Sequence, residues 1–162
     1  MKKGRAVLFG VVLLAIIGAI FYLNKPDTFE IDDTASGESE SSRAVLAENN
    51  GAAYKEFNQA DYEKAISENR KILLYFYASW CPICRAEQPE VISAFNELNN
   101  VGIVGFRVNY KDSDTDSYES NLAEEFGISY QHTKVILVNG DVVLKSLESW
   151  NKDKYLEELN KL

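Results

Sequence analysis

Apolar and polar positions divide this 162-residue chain into three regimes. Residues 6–23 (AVLFGVVLLAIIGAIFYL) are one apolar run without a charge. Residues 24–43 (NKPDTFEIDDTASGESESSR) are rich in Asp, Glu, Ser and Gly and poor in large apolar side chains. Further on, short apolar runs of strand length alternate with stretches whose apolar residues recur every three or four positions, the mark of strands interleaved with amphipathic helices.

Within that last regime, 72–78 (ILLYFYA) is a continuous apolar and aromatic run, the pattern of a central strand covered on both faces. The spacing predicts a short helix over 61–69, capped by Asn58 or Asp61. A longer helix is expected over 84–99 through Val91, Ile92, Phe95 and Leu98, with a kink near Gln88 and Pro89, because proline lacks the amide hydrogen and crowds the preceding turn. Residues 103–108 (IVGFRV) read as a second buried strand. A helix from Asp116 or Ser117 closes at Gly127, and Asn139-Gly140 between 135–138 (VILV) and 142–147 is a type I′ hairpin signal. The chain ends in a helix over 152–162. Two earlier segments are ambiguous: 43–50 (RAVLAENN) reads as a short helix or more linker, and 54–57 (YKEF) as a short edge strand. Strands separated by helices pair in parallel and the hairpin adds antiparallel edges, so the expected fold is α/β, a mixed central sheet with helices on both faces.

The apolar run at 6–23 would span about 27 Å as a helix, near the thickness of a bilayer's hydrocarbon core. A cleaved signal peptide is the alternative, but its apolar stretch is shorter and its small-x-small cleavage site has only the poor match Gly18-Ala19-Ile20. With Lys2, Lys3 and Arg5 on the short N-terminal side, the positive-inside rule keeps residues 1–5 in the cytoplasm and sends the body across. The expected organisation is therefore a basic N-terminus over 1–5, a signal-anchor helix over 6–23, a flexible acidic linker over 24–50 that cannot bury enough surface to order itself, and a folded domain over 51–162.

Charge narrows the class of partner. The formal net charge is −8, and setting aside Lys2, Lys3 and Arg5 leaves 14 basic against 25 acidic side chains. A body of about −11 without a basic stripe repels phosphate backbones, which argues against nucleic acid.

The chain's two cysteines lie three apart, in Trp80-Cys81-Pro82-Ile83-Cys84, where the central strand gives way to the long helix. That spacing in a first helical turn brings both sulfurs to one face within bonding reach. The helix's positive end favours a thiolate on Cys81, the attacking sulfur, and Cys84, one turn inward, resolves the mixed disulfide. Pro82 suits the helix entrance, and Trp80 offers an apolar wall to an extended substrate segment. A structural disulfide is a weaker reading, because so short a loop removes little entropy from the unfolded chain. A zinc site is weaker too: it wants four ligands, and His132 is the only other His or Cys.

These features resemble the thioredoxin family over residues 54–162. Trp80-Cys81-Pro82-Ile83-Cys84 is similar to its WCxxC site, Pro89 to its helix-kinking proline, Phe126-Gly127-Ile128 to the segment before its substrate-facing loop, and Asn139-Gly140 to its hairpin turn. Arg85-Ala86-Glu87-Gln88-Pro89 is closer to the membrane-anchored extracytoplasmic (TlpA/ResA-like) branch, which the apolar N-terminal run fits independently. The resemblance implies a thioredoxin-like three-layer fold preceded by one transmembrane helix. It also implies reduction or exchange of protein disulfides outside the cytoplasm, no organic cofactor, and a membrane thiol-reductant donor. In that branch a glutamate matching Glu87 tunes the thiols, a role that suits a carboxylate one turn from Cys84; an exposed glutamate on the helix face is the plainer alternative.

Two departures stand out. Tyr75 takes the place of the family's buried aspartate, and His132 stands before Thr133 where the family has a cis-proline. A cis bond without proline costs about 2.5–4 kcal/mol, so Gln131-His132 is expected trans in a shifted loop. His132 is then either a partly exposed loop residue or a neighbour of Cys81 and Cys84. In the latter place imidazolium would stabilise the thiolate, or neutral imidazole would complete a Cys81, Cys84 and His132 metal site in a metallochaperone. A fold that has lost turnover and only binds is the remaining rival. Substrate contacts are expected from Trp80, Pro82, Tyr130, His132 and Thr133.

Overall fold

The computed structural model describes residues 44–49 and 52–162. The readings made for residues 1–43, the anchor over 6–23 included, lie outside the described residues. Among those described, no helix is long and apolar enough to cross a membrane.

The elements are β1 (Val45–Asn49), β2 (Ala52–Glu56), α1 (Gln59–Ser67), β3 (Lys71–Tyr77), α2 (Pro82–Glu97), β4 (Ile103–Asn109), α3 (Ser117–Glu125), β5 (Thr133–Val138), β6 (Asp141–Ser146) and α4 (Lys152–Asn160). They build one six-stranded mixed sheet in the order β1-β2-β4-β3-β5-β6. Strands β2, β4 and β3 run parallel; β1 on one side and β5 and β6 on the other pair antiparallel.

Two expectations are corrected here. Residues 45–49, read as a short helix or as linker, are strand β1, because pairing with β2 and burial of Ala47 beside Tyr54 override an ambiguous local pattern. The segment read as an edge strand is interior, since β2 is held by β1 on one side and β4 on the other.

Alternation along β3 assigns the two faces of the sheet. Leu73 and Tyr75 point to the side covered by α2 and α4, with Val91, Phe95, Tyr155 and Leu159. Ile72, Leu74 and Phe76 point to the side covered by α1 and α3, with Ala65, Leu122 and Ala123. Burial of both faces explains why 72–78 reads as an unbroken apolar run. On β5 the same alternation puts Ile136 on the α2 side and Val135 and Leu137 on the other.

Local signals behave as their chemistry dictates. Asn58 caps α1 by accepting from the Asp61 amide. Asp116 and Glu119 form a reciprocal capping box at α3, and Gly127 beyond its end takes φ +57. Asn139 and Gly140 both have positive φ, as a type I′ turn requires. Helix α2 continues through Pro89, whose ring nitrogen has no hydrogen to give the Arg85 carbonyl.

Candidate active site

Cys81 is the N-cap of α2, and Pro82 follows at the helix entrance. The Cys81 Sγ accepts the Cys84 amide at 3.2 Å, so an unpaired donor of the first turn is aimed at that sulfur. Both cysteines are free and buried, packed with Ala78. Burial, with a hydrogen bond to Cys81, pushes the Cys84 thiol up to about 11, while a backbone hydrogen bond from Ala78 and the Tyr75 hydroxyl oppose the rise. Cys84 is therefore protonated at neutral pH.

Beneath the pair lies a buried polar group that α2, β3, β5 and α4 assemble together. Glu87, one turn beyond Cys84, is 3% exposed, which overturns its reading as a surface residue. Its Oε1 receives the Tyr155 hydroxyl at 2.6 Å and the Lys134 ammonium at 3.0 Å; its Oε2 lies 3.1 Å from His132 Nε2. Lys134 also donates to the carbonyls of His132 and Glu148 and sits over the rings of Tyr75 and Trp150. Burial pulls the Lys134 ammonium below its ordinary range, and the Glu87 carboxylate works against that. Tyr155 is pushed up by burial and by the same carboxylate.

His132 is buried, not partly exposed, and adopts φ +71 with its amide bonded to the Phe76 carbonyl at 2.6 Å. The Gln131-His132 peptide is trans, as expected. Its Nδ1 lies 3.3 Å from the Tyr75 hydroxyl, and its Nε2 faces Ser149 Oγ at 3.2 Å as well as Glu87. A carboxylate only accepts, so the Nε2 side carries the hydrogen and Nδ1 keeps a lone pair for Tyr75. Burial and the Lys134 charge hold His132 below its ordinary value, against the pull of Glu87. The expected thiolate-stabilising imidazolium is thus disfavoured, and the ring reaches Cys84 through Tyr75. With both nitrogens engaged, His132 is also poorly placed as a ligand, and among the described residues no three His, Cys, Asp or Glu side chains converge to hold a metal.

Of the residues expected to meet substrate, Trp80, Pro82 and Tyr130 are exposed, whereas the side chains of His132 and Thr133 are buried. Trp80 donates through Nε1 to the Lys111 carbonyl at 3.0 Å, and Thr133 Oγ1 to the Tyr130 carbonyl at 2.7 Å. Sequence reasoning missed Lys134, Tyr155 and Ser149. For Lys134 a signal existed: it shares the parity of Ile136 on a strand buried on both faces, so its charge needs a buried partner.

A cysteine pair entering a helix at the end of a parallel strand, above a buried carboxylate, defines a class of dithiol redox proteins. The Thioredoxin family model matches residues 53–161, and the chain belongs to the thioredoxin family. Protein disulfide-isomerase of Gallus gallus is 34% identical over 82 residues, 51% of this chain and 15% of that protein. Thioredoxin H4 of Arabidopsis thaliana is 34% identical over 94 residues, 56% of this chain and 71% of that one. Trxlp from Edwardsiella tarda EIB202 shares the fold, with a TM-score of 0.55 at 22% identity over 65% of this chain and 97% of its own. The chain spans only 15% of the Gallus gallus isomerase and 13% of Protein disulfide isomerase-like 1-4 of Arabidopsis thaliana. Together the thioredoxin and isomerase relatives support thiol-disulfide oxidoreductase chemistry.

Proposed function

We infer that this chain is a membrane-tethered thiol-disulfide oxidoreductase that reduces or exchanges disulfides of protein substrates outside the cytoplasm. Cys81 attacks a substrate disulfide, forms a mixed disulfide and releases one substrate thiolate. Cys84 then loses its proton and attacks the Cys81 sulfur, closing the Cys81-Cys84 disulfide and releasing the second substrate thiolate. The observation that carries this reading is the placement of Cys81 as N-cap with the Cys84 amide aimed at its sulfur, above the buried carboxylate of Glu87. Trp80 and Tyr130 supply exposed apolar surface on the flanks of the pair. Sustained reduction requires an electron donor, and a membrane thiol transporter of the kind found in the extracytoplasmic branch fits that need.

The tether rests on the uncharged run at 6–23 and the basic residues Lys2, Lys3 and Arg5 before it. The test of the activity is reduction of insulin disulfides by the full chain with dithiothreitol as donor; turnover undiminished in Cys81→Ser would sink it. For the tether, intact cells expressing the full chain are treated with protease. Loss of the domain supports an outward orientation, and protection until lysis overturns it.

A further inference from the structure

Behind Cys84 the hydrogen-bonding groups form one unbroken line. The Tyr75 hydroxyl bonds the Cys84 thiol. The same hydroxyl lies 3.3 Å from His132 Nδ1, and His132 Nε2 lies 3.1 Å from Glu87 Oε2. We propose that Tyr75 and His132 form a proton relay that delivers the Cys84 proton to Glu87 as Cys84 attacks the mixed disulfide on Cys81. This rests on the oxidoreductase reading above and adds a route for the proton of its second step.

Each hop balances. The Cys84 S–H gives its proton to the Tyr75 oxygen while the Tyr75 O–H gives its own to Nδ1 of neutral His132. The Nε2–H of His132 passes to Glu87 Oε2. Afterwards Cys84 is a thiolate, Tyr75 is again a neutral phenol now donating to that thiolate, His132 is the other neutral tautomer, and Glu87 is a carboxylic acid. The sulfur's new electron pair then forms the bond to Cys81 as the substrate thiolate leaves.

Four features of the site favour this route. First, a thiol at about 11 is ionised in only about one molecule in 10⁴ at pH 7, so resolution needs a base. Second, in the resting pair the Cys81 sulfur shares a hydrogen bond with Cys84. Once Cys81 is part of a mixed disulfide it is a poor acceptor, and the Cys84 proton is left to the Tyr75 oxygen. Third, every group facing His132 keeps it a conduit: Tyr75 on β3 and Glu87 on α2 bracket the ring, Ser149 before α4 shares Nε2, and the Lys134 ammonium on β5 repels an imidazolium. Tyr155 on α4 holds the far oxygen of Glu87. Fourth, the Phe76 carbonyl fixes His132 at positive φ, which orients the ring between Tyr75 and Glu87.

The test is a stopped-flow reaction of the reduced full chain with 5,5′-dithiobis(2-nitrobenzoate). The first thionitrobenzoate released reports capture by Cys81, and the second reports resolution by Cys84. In the wild type the second release is expected to be nearly independent of pH from about 6.5 to 9 while the relay supplies the base. Tyr75→Phe keeps the ring and removes the hydroxyl. It should slow the second release about 100-fold at pH 7, leave the first within about threefold, and make the second climb nearly tenfold per pH unit as hydroxide takes over. His132→Asn, a residue that tolerates positive φ, should do the same. If Tyr75→Phe lacks the native near-ultraviolet dichroism, His132→Asn decides alone. Resolution within threefold of wild type with a flat pH profile in the folded variants overturns the relay and leaves the oxidoreductase reading intact. No first release from the wild type would instead sink that reading, and the relay with it.

Discussion

The Glu87 carboxylate and the Lys134 ammonium meet at 3.0 Å with 3% and 0% of their side chains exposed, an ion pair between a helix and the strand beneath it. Such a pair gains little net stability over apolar packing, but removing one partner strands the other charge in the core at about 3–5 kcal/mol. Lys134→Met should therefore destabilise the domain by about that much, and Glu87→Gln added to it should recover more than half, since the amide still accepts from Tyr155 without a charge. Urea midpoints of the three proteins measure this; a loss below about 1 kcal/mol in Lys134→Met would refute the buried pair.

Acid should weaken the fold partly through His132. Its folded-state value lies below the ordinary 6.5, so the unfolded chain takes the proton first. The stability is complete above that ordinary value and is lost as pH falls through the folded one, by at most about 1.4 kcal/mol per pH unit for one proton. His132→Asn should lose less stability than wild type between pH 7 and 5 in parallel urea titrations. Equal losses would mean that His132 is not held neutral.

Much of the sheet was legible because its signals are local. The apolar run of β3, the Asn139-Gly140 turn and the stop at Gly127 each encode geometry in a few neighbouring residues. The cysteine pair was legible for the same reason. The buried relay was not, because it depends on register: β3 and β5 set Tyr75 directly opposite Lys134, residues 59 positions apart in sequence. Its other members arrive from α2 and from the segment before α4. Strand β1 was hidden similarly, since 43–50 becomes a strand only once β2 offers it a partner.

Gly105 on β4 lies where Tyr54 and Phe95 stack at 5.3 Å between centroids. A Cβ there would come within 2.6 Å of Phe95 Cζ and 2.7 Å of Tyr54 Cδ2. Both rings are fully buried, so neither swings away freely. Gly105→Ala is expected to cost about 1–3 kcal/mol by overpacking. Thermal melting of the variant checks this, and an unchanged transition would show that the stack yields.

Asp112 is tied to the turn that carries the active-site tryptophan. Its carboxylate accepts both the backbone amide and the hydroxyl of Ser79, and the Ser79 amide is the main reason its acidity is strengthened. Next to it, the Lys111 carbonyl receives Trp80 Nε1 at 3.0 Å from a backbone held at φ +53. Arg85 completes the clasp by donating to the Ser79 carbonyl at 2.9 Å. Because Asp112 is exposed, water screens much of its charge, so the contribution is to order more than to global stability. Asp112→Ala should leave the urea midpoint nearly unchanged yet speed hydrogen exchange of the Ser79 amide roughly fivefold, with Asp112→Asn in between because its carbonyl still accepts. Exchange at wild-type rates in Asp112→Ala would mean that the Ser79-Trp80 turn is held by the strand and helix on either side of it, and that Asp112 is incidental to how Trp80 is presented.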